Sequence, residues 1–194
     1  MDTADTAQAK RQIRRDITAM LRVLSAAEKR HRADSLLRRL LELPLFRSVR
    51  FVGGYFAMVD EIGVDGVLTT ALEGGKDALV PILRDEELDF AFWRPSLTLR
   101  RDRLGVLEPV TRGASRLPSG PGLLLVPGRA FDTAGRRLGR GQGFYDRVLA
   151  RLPADIVTVG VGYSEQIIAK VPTALHDRPV AALATDQHFE WCSA

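Results

Sequence analysis

A single cysteine in 194 residues rules out the two scaffolds that would need several. Cys192 stands two residues from the C-terminus, so neither a disulfide framework nor a thiolate zinc site is available, and a reducing compartment, the cytoplasm, is the expected setting. No run approaches eighteen apolar residues, and the opening Met1-Asp2-Thr3-Ala4-Asp5 is acidic and polar, so neither a membrane span nor a secretory leader is expected. Lysine is scarce: only Lys10, Lys29, Lys76 and Lys170 occur among 28 basic residues, and arginine carries the net charge of +4. That balance permits an anionic ligand without choosing between nucleotide and nucleic acid. Aromatics are 7% and form no stacking platform at strand spacing, which argues against an RNA-binding surface built on the Arg-rich N-terminal helix. At this length a chain buries about 70% of its extended surface, enough for a core without staples. No repeat, low-complexity tract or Ser/Gly linker divides it. Residues 1–194 read as one domain, with 1–44 a helical pair packed on an α/β body.

What is present is alternation. Ile13, Ile17, Met20, Leu21 and Leu24 recur three to four apart among basic residues, predicting a helix over residues 8–23 with a narrow apolar stripe. Ser25-Ala26-Ala27-Glu28 has capping-box spacing, so a second helix should start there and run to about Leu43, where Pro44 would stop it. Residues 49–57 predict a buried strand, 62–72 a helix through Val64, Val67, Leu68 and Leu72, and 78–82 and 88–93 two further strands. The Pro-, Gly- and Arg-rich stretch 95–122 reads as irregular. Then come a buried strand over 123–126, a helix over 142–152 and strands over 156–161 and 180–184. The fold class is therefore α/β, a single-domain sheet flanked by helices.

The chemistry concentrates between Val126 and Asp146. Gly139, Gly141 and Gly143 alternate at the start of a predicted helix, directly after cationic Arg136-Arg137. Glycines let N–H groups turn toward an anion with no Cβ in the way, and a helix N-terminus adds partial positive charge. Arg137 and Arg140 can add bidentate contacts to phosphate oxygens, and Asp146, in the first predicted turn, could hold Mg²⁺ against them. The spacing is not a Walker A loop, because no Gly-Lys-Ser/Thr follows. Nor is it a dinucleotide fingerprint, since the third glycine comes one residue early and Arg136-Arg137-Leu138 makes a poor buried strand. From the residues alone the segment is a candidate phosphate cradle or a flexible glycine turn. Lys10 and Arg14 share one helix face that solvation alone could explain, and Asp60-Glu61 could cap the following helix. Met58 and Phe144 could belong to the core, and Asp146 suits a first helical turn without any metal.

RLGRGQGFYD, preceded by VPGRAFD, strongly resembles the signature of the 5-formyltetrahydrofolate cyclo-ligase (methenyltetrahydrofolate synthetase) family. The resemblance spans nearly the whole chain. Lys10 and Arg14 look like the family's Lys-x-x-x-Arg element, Met58 to Ile62 like its folate-side motif, and Leu107-Glu108-Pro109 like its Glu-Pro segment. Gln166, Val171-Pro172, His176-Asp177 and the closing strand through Thr185 match its C-terminal pattern.

The resemblance implies the cyclo-ligase (NagB/RpiA/CoA-transferase-like) fold and an ATP- and Mg²⁺-dependent ring closure of 5-formyltetrahydrofolate to 5,10-methenyltetrahydrofolate, with ADP and phosphate released. By family analogy the formyl oxygen attacks the γ-phosphate, nitrogen 10 adds to the activated carbon, and phosphate leaves. Carried over by position, Lys10, Arg14, Arg137, Leu138, Gly139, Arg140, Gly141, Gln142, Gly143 and Tyr145 would bind ATP, with Arg137, Arg140 and Tyr145 at the reacting groups. Met58, Glu61 and Phe144 would face the folate, with Asp146 and Asp177 on the metal. The implied partner is a small reduced folate, with or without a polyglutamate tail, bound by a monomer that takes neither nucleic acid nor membrane. A paralogue using the same ATP site on another formylated or pterin-like substrate is the alternative. Four departures stand out: Gln142 replaces the usual Gly or Lys, Phe144 replaces Tyr and loses a hydroxyl, and Arg129 and Arg140 are bulkier or more basic than many relatives carry, though the family tolerates Arg140. Arg137→Ala or Asp146→Ala is expected to lose activity in a folded protein.

Overall fold

The computed structural model describes residues 3–84, 87–110 and 117–193. Helices α1 (Thr3–Arg22) and α2 (Ala26–Glu42) open the chain, joined at the expected capping box: the Ser25 hydroxyl accepts from Glu28 N and the Glu28 carboxylate accepts from Ser25 N. Pro44 does more than end α2. It sits in the first turn of a separate helix α3 (Pro44–Ser48), where a missing N–H costs nothing.

Strand β1 (Phe51–Gly53) is much shorter than the apolar run 49–57, whose later residues leave the sheet as a buried loop. Helix α4 (Asp65–Glu73), β2 (Asp77–Arg84) and β3 (Glu87–Phe92) follow. Part of the stretch expected to be irregular is a hairpin of β4 (Leu99–Arg101) and β5 (Leu107–Pro109); residues 111–116 of that stretch lie outside the described residues. Then come β6 (Gly122–Pro127), the short pair β7 (Ala130–Phe131) and β8 (Arg137–Leu138), and α5 (Phe144–Leu149). The chain closes with β9 (Ile156–Gly162), β10 (Ala182–Thr185) and β11 (Phe189–Trp191). The sequence reading missed β11. It also judged 136–138 a poor buried strand, yet Arg137 and Leu138 are both buried, because Asp146 neutralises the arginine.

The seven-stranded sheet has the order β11-β10-β9-β6-β1-β2-β3. β10, β9, β6, β1 and β2 run parallel, and antiparallel β3 and β11 close the two edges. Side chains alternate between two faces. Val52, Val80, Leu123 and Leu125 join a core with Leu21 of α1, Leu36 and Leu40 of α2, and Val67 and Leu68 of α4. Phe51, Leu79, Leu124 and Val126 face the opposite way, onto Phe131 and Val148 of α5. Chain order makes β1 and β6 special. From β1 the sheet grows outward through β2 and β3; from β6 it grows the other way through β9 and β10. A crevice therefore opens beyond their C-terminal ends, where the two loops part, and that is where open α/β sheets bind ligands.

Candidate functional site

The loops leaving β1 and β6 face each other across a cavity of ≈ 710 Å³, which α1 and the β4–β5 hairpin also help to line. Every residue that the resemblance places at the site contributes to its lining.

The β6 side is the glycine segment. Gly141 and Gly143 have φ of +108° and +67°, the left-handed region that side chains rarely adopt, and a Cβ on Gly139 would lie 2.7 Å from Arg137 Nη1. Positions 141 and 143 favour glycine by their backbone conformation, so the segment is a shaped turn rather than a loose one. The expected helix over 142–152 shrinks to six residues, too short for its dipole to dominate. Positive charge comes instead from side chains. Arg137, 5% exposed, pairs with Asp146 Oδ1 at 2.9 Å, and its guanidinium lies 5.7 Å from the Tyr145 ring centroid. Its Nε and the Tyr145 hydroxyl are buried donors without a hydrogen-bond partner among the described residues. Burial also pushes the Tyr145 hydroxyl well above its ordinary range, so it stays protonated.

Helix α1 adds two cations that face the cavity rather than solvent. Arg14 Nε donates to Gly139 O at 2.8 Å, pinning the turn to α1, and burial lowers the Arg14 pKa. Lys10 Nζ is 2.5 Å from Asp177 Oδ2. Burial alone would raise the Asp177 pKa, but the Lys10 and Ala174 N–H hydrogen bonds bring it below its ordinary value. His176 is exposed and 3.8 Å from Asp177, a weaker neighbour than Lys10.

The β1 side is built on Tyr55, Met58 and Glu61. Tyr55 donates to Ile62 O at 3.0 Å, and the Glu61 carboxylate accepts from Met58 N at 3.0 Å, closing the loop on itself. Asp60 and Glu61 do not cap α4, whose first-turn acid is Asp65. They turn to the other loop: Arg140 Nη2 lies 2.6 Å from Asp60 Oδ1 and 2.9 Å from Glu61 Oε1. Asp60 Oδ2 takes Arg129. Burial raises the Asp60 pKa, and the hydrogen bonds from Arg129 and Arg140 outweigh it, so the group stays ionised below the usual carboxylate range. The Asp60–Arg129 pair escaped the sequence reading, although Asp60 adjoins Glu61 and Arg129 had stood out for its bulk. Behind it Gln166 Nε2 donates to Gly128 O and Arg129 O at 2.7 and 3.0 Å, giving that residue a scaffolding task. Leu83, Leu88, Leu104 and Val106 form an apolar wall, and buried Glu108 holds the hairpin to β2 by accepting from Leu83 N at 3.1 Å.

For a metal the donor set is sparse: no cluster of three His, Cys, Asp or Glu side chains occurs among the described residues. Asp146 and Asp177 are nevertheless neighbours, because Arg178 N, the next residue along, donates to Asp146 Oδ1 at 3.2 Å. One or two carboxylates suit Mg²⁺ that arrives with phosphates and keeps several waters. The residues present fit a phosphate-borne ion and would not form a closed protein cage. No helix among the described residues is long and apolar enough to cross a membrane.

Comparison with known proteins bears on family and fold. Among curated relatives, the chain is 28% identical to a 5-formyltetrahydrofolate cyclo-ligase from Haemophilus influenzae, covering 89% of this chain and 95% of the relative. It is 30% identical to one from Mycolicibacterium smegmatis, covering 88% and 90%. Its fold superposes on a 5,10-methenyltetrahydrofolate synthetase from Aquifex aeolicus with a TM-score of 0.81 at 28% identity, over 94% of this chain and 92% of that one. The 5-formyltetrahydrofolate cyclo-ligase family profile matches residues 6–186, and the chain belongs to that family.

Proposed function

We propose that the protein catalyses the ATP- and Mg²⁺-dependent cyclisation of 5-formyltetrahydrofolate to 5,10-methenyltetrahydrofolate, acting as a cytoplasmic monomer on a reduced folate with or without a polyglutamate tail. The observation that carries this reading is that the residues assigned by the resemblance to ATP and those assigned to the folate line one continuous cavity, which gives two substrates a place to meet. The formyl oxygen attacks the γ-phosphorus and the bond to ADP breaks. Nitrogen 10 then adds to the activated carbon and loses its proton, and the carbon–oxygen bond breaks to release phosphate. An amide oxygen leaves poorly until it is phosphorylated, so the protein's task is to position and to balance charge.

Lys10, Arg14 and Arg137 hold the phosphates over the turn from Gly139 to Gly143. The unpaired Arg137 Nε and Tyr145 hydroxyl supply donors already desolvated, each of which costs about 1–3 kcal/mol until a ligand oxygen arrives. Asp146 and Asp177 would hold Mg²⁺ on the phosphates, where the ion offsets their charge. Glu61 accepts hydrogen bonds from the reduced pterin, Met58 and Phe144 cover its faces, and the apolar wall from Leu83 to Val106 takes the aromatic linker.

The test is to mix the protein with 5-formyltetrahydrofolate, ATP and Mg²⁺ and follow the near-ultraviolet absorbance of the methenyl product. A rise that requires all three is expected. A folded protein that binds Mg-ATP but forms no product would instead be a paralogue acting on another formylated substrate.

A further inference from the structure

We propose that Asp60, to which the family resemblance assigns no role, is the positioning residue that sets Arg140 astride the two halves of the cavity. The inference rests on the cyclo-ligase reading above. Arg140 belongs by sequence to the glycine segment, yet its guanidinium lies against the opposite loop, on Asp60 Oδ1 at 2.6 Å and Glu61 Oε1 at 2.9 Å. The Asp60, Glu61 and Arg129 side chains are 10%, 10% and 9% exposed, whereas the Arg140 side chain is 35% exposed; what sets Asp60 apart from Glu61 is its second, buried partner Arg129. Arg129 is also tied at both ends of its peptide: its N–H donates to Leu138 O at 2.6 Å and its carbonyl accepts from Gln166. It cannot leave Asp60 without stranding a buried charge.

The two arginines and two carboxylates balance as a set, which allows an exchange. Both Glu61 oxygens are engaged in the free protein, Oε1 by Arg140 and Oε2 by Met58 N. Oε1 faces two guanidinium nitrogens of Arg140, so a pterin that is to meet that oxygen must displace Arg140 from it, whereas Oε2, engaged by Met58 N, keeps a lone pair for the pterin in either case. With Asp60 present, Arg140 gives up Glu61 and keeps a charge-assisted partner, so its guanidinium stays at the border between pterin and phosphates. Without Asp60, Glu61 would be its only carboxylate partner among the described residues, and substrate would have to compete for it outright.

Asp60→Asn alone would leave Arg129 buried and unpaired, so the informative variant combines it with Arg129→Met, which keeps the set neutral. In that variant the thermal midpoint should stay near wild type. kcat should fall and KM for 5-formyltetrahydrofolate rise, each by about tenfold, the worth of one charge-assisted hydrogen bond, while KM for ATP moves less than about threefold. In an Arg140→Ala background the same two substitutions should change kcat/KM by less than about twofold, because Asp60 acts through Arg140. Unchanged kinetics in the folded variant, or an equal loss of about a hundredfold in kcat/KM without Arg140, would overturn the assignment. A wild-type protein that forms no product would sink the cyclo-ligase reading instead. Exchange of the Arg140 Nη2 protons with water then decides the positional claim: it should be slower in wild type, where Asp60 Oδ1 accepts from Nη2, than in the variant, and equal rates would refute it.

Discussion

Arg137 and Arg140 stand three residues apart in one glycine-rich turn and line the same cavity, yet the fold treats them oppositely. The Arg137 side chain is 3% exposed and pairs within its own segment, with Asp146 nine residues on. The Arg140 side chain is 35% exposed and pairs with acids eighty residues earlier in the chain. One charge is built into the protein before any ligand arrives, and the other spans two loops that a ligand must separate. Proximity in sequence therefore says little about whether a cation is scaffold or moving part.

The largest effect should come from the built-in charge. Arg137→Ala leaves Asp146, 13% exposed, without its cation, and breaking such a buried pair costs about 3–5 kcal/mol. The activity loss expected from sequence should thus be joined by a stability loss that the sequence did not announce. Urea unfolding should show the midpoint fall, and product formation should drop about 10²–10³-fold, the usual worth of one preorganised donor. An unchanged midpoint would mean that the pair is not structural.

Arg140→Ala is the contrasting case. Asp60 keeps Arg129, and Glu61, its side chain 10% exposed, keeps only Met58 N; because the departing Arg140 end of the pair is 35% exposed and open to water, unfolding should shift by less than the loss of about 3–5 kcal/mol expected for Arg137→Ala. Turnover should still fall about tenfold or more. If Arg140→Ala destabilised the protein as much as Arg137→Ala, the distinction between the two arginines would collapse.

Much of this was legible in the sequence, for identifiable reasons. The buried parallel strands announce themselves as apolar runs because both faces are covered, and the Ser25–Glu28 box marks its helix start by purely local chemistry. The glycine turn was readable because Gly141 and Gly143 need positive φ. Elements held by partners distant in the chain were not. β8 carries a buried arginine that only Asp146 makes tolerable, and β11 is three residues completing an edge beside β10. The quartet of Asp60, Glu61, Arg129 and Arg140 joins segments that no periodicity connects, so its members were visible singly and their pairing was not.

The smallest expected effect compares the two depressed carboxylates, Asp177 beside the cradle and Asp60 beside the pterin loop. Burial raises the pKa of each, and hydrogen bonds from a cation outweigh it: Lys10 for Asp177, Arg129 and Arg140 for Asp60. A carboxylate whose pKa is lower in the folded than in the unfolded chain stabilises the fold fully above its ordinary value of 3.8, and that contribution is lost as pH falls through the depressed folded value. Wild-type protein should therefore unfold more readily in urea at pH 3 than at pH 6. Lys10→Met removes the main cause of the Asp177 depression, so the loss between pH 6 and pH 3 should shrink by less than about 1 kcal/mol, because pH 3 lies only just below the ordinary value of 3.8 and draws out only the first part of the linkage. It should not vanish, because Lys10→Met leaves Asp60 and its two arginines intact. If Lys10→Met lost as much stability as wild type over that interval, Lys10 would not hold Asp177 in solution, and α1 would be tied to the site through Arg14 on Gly139 O, in the glycine turn, rather than through Asp177.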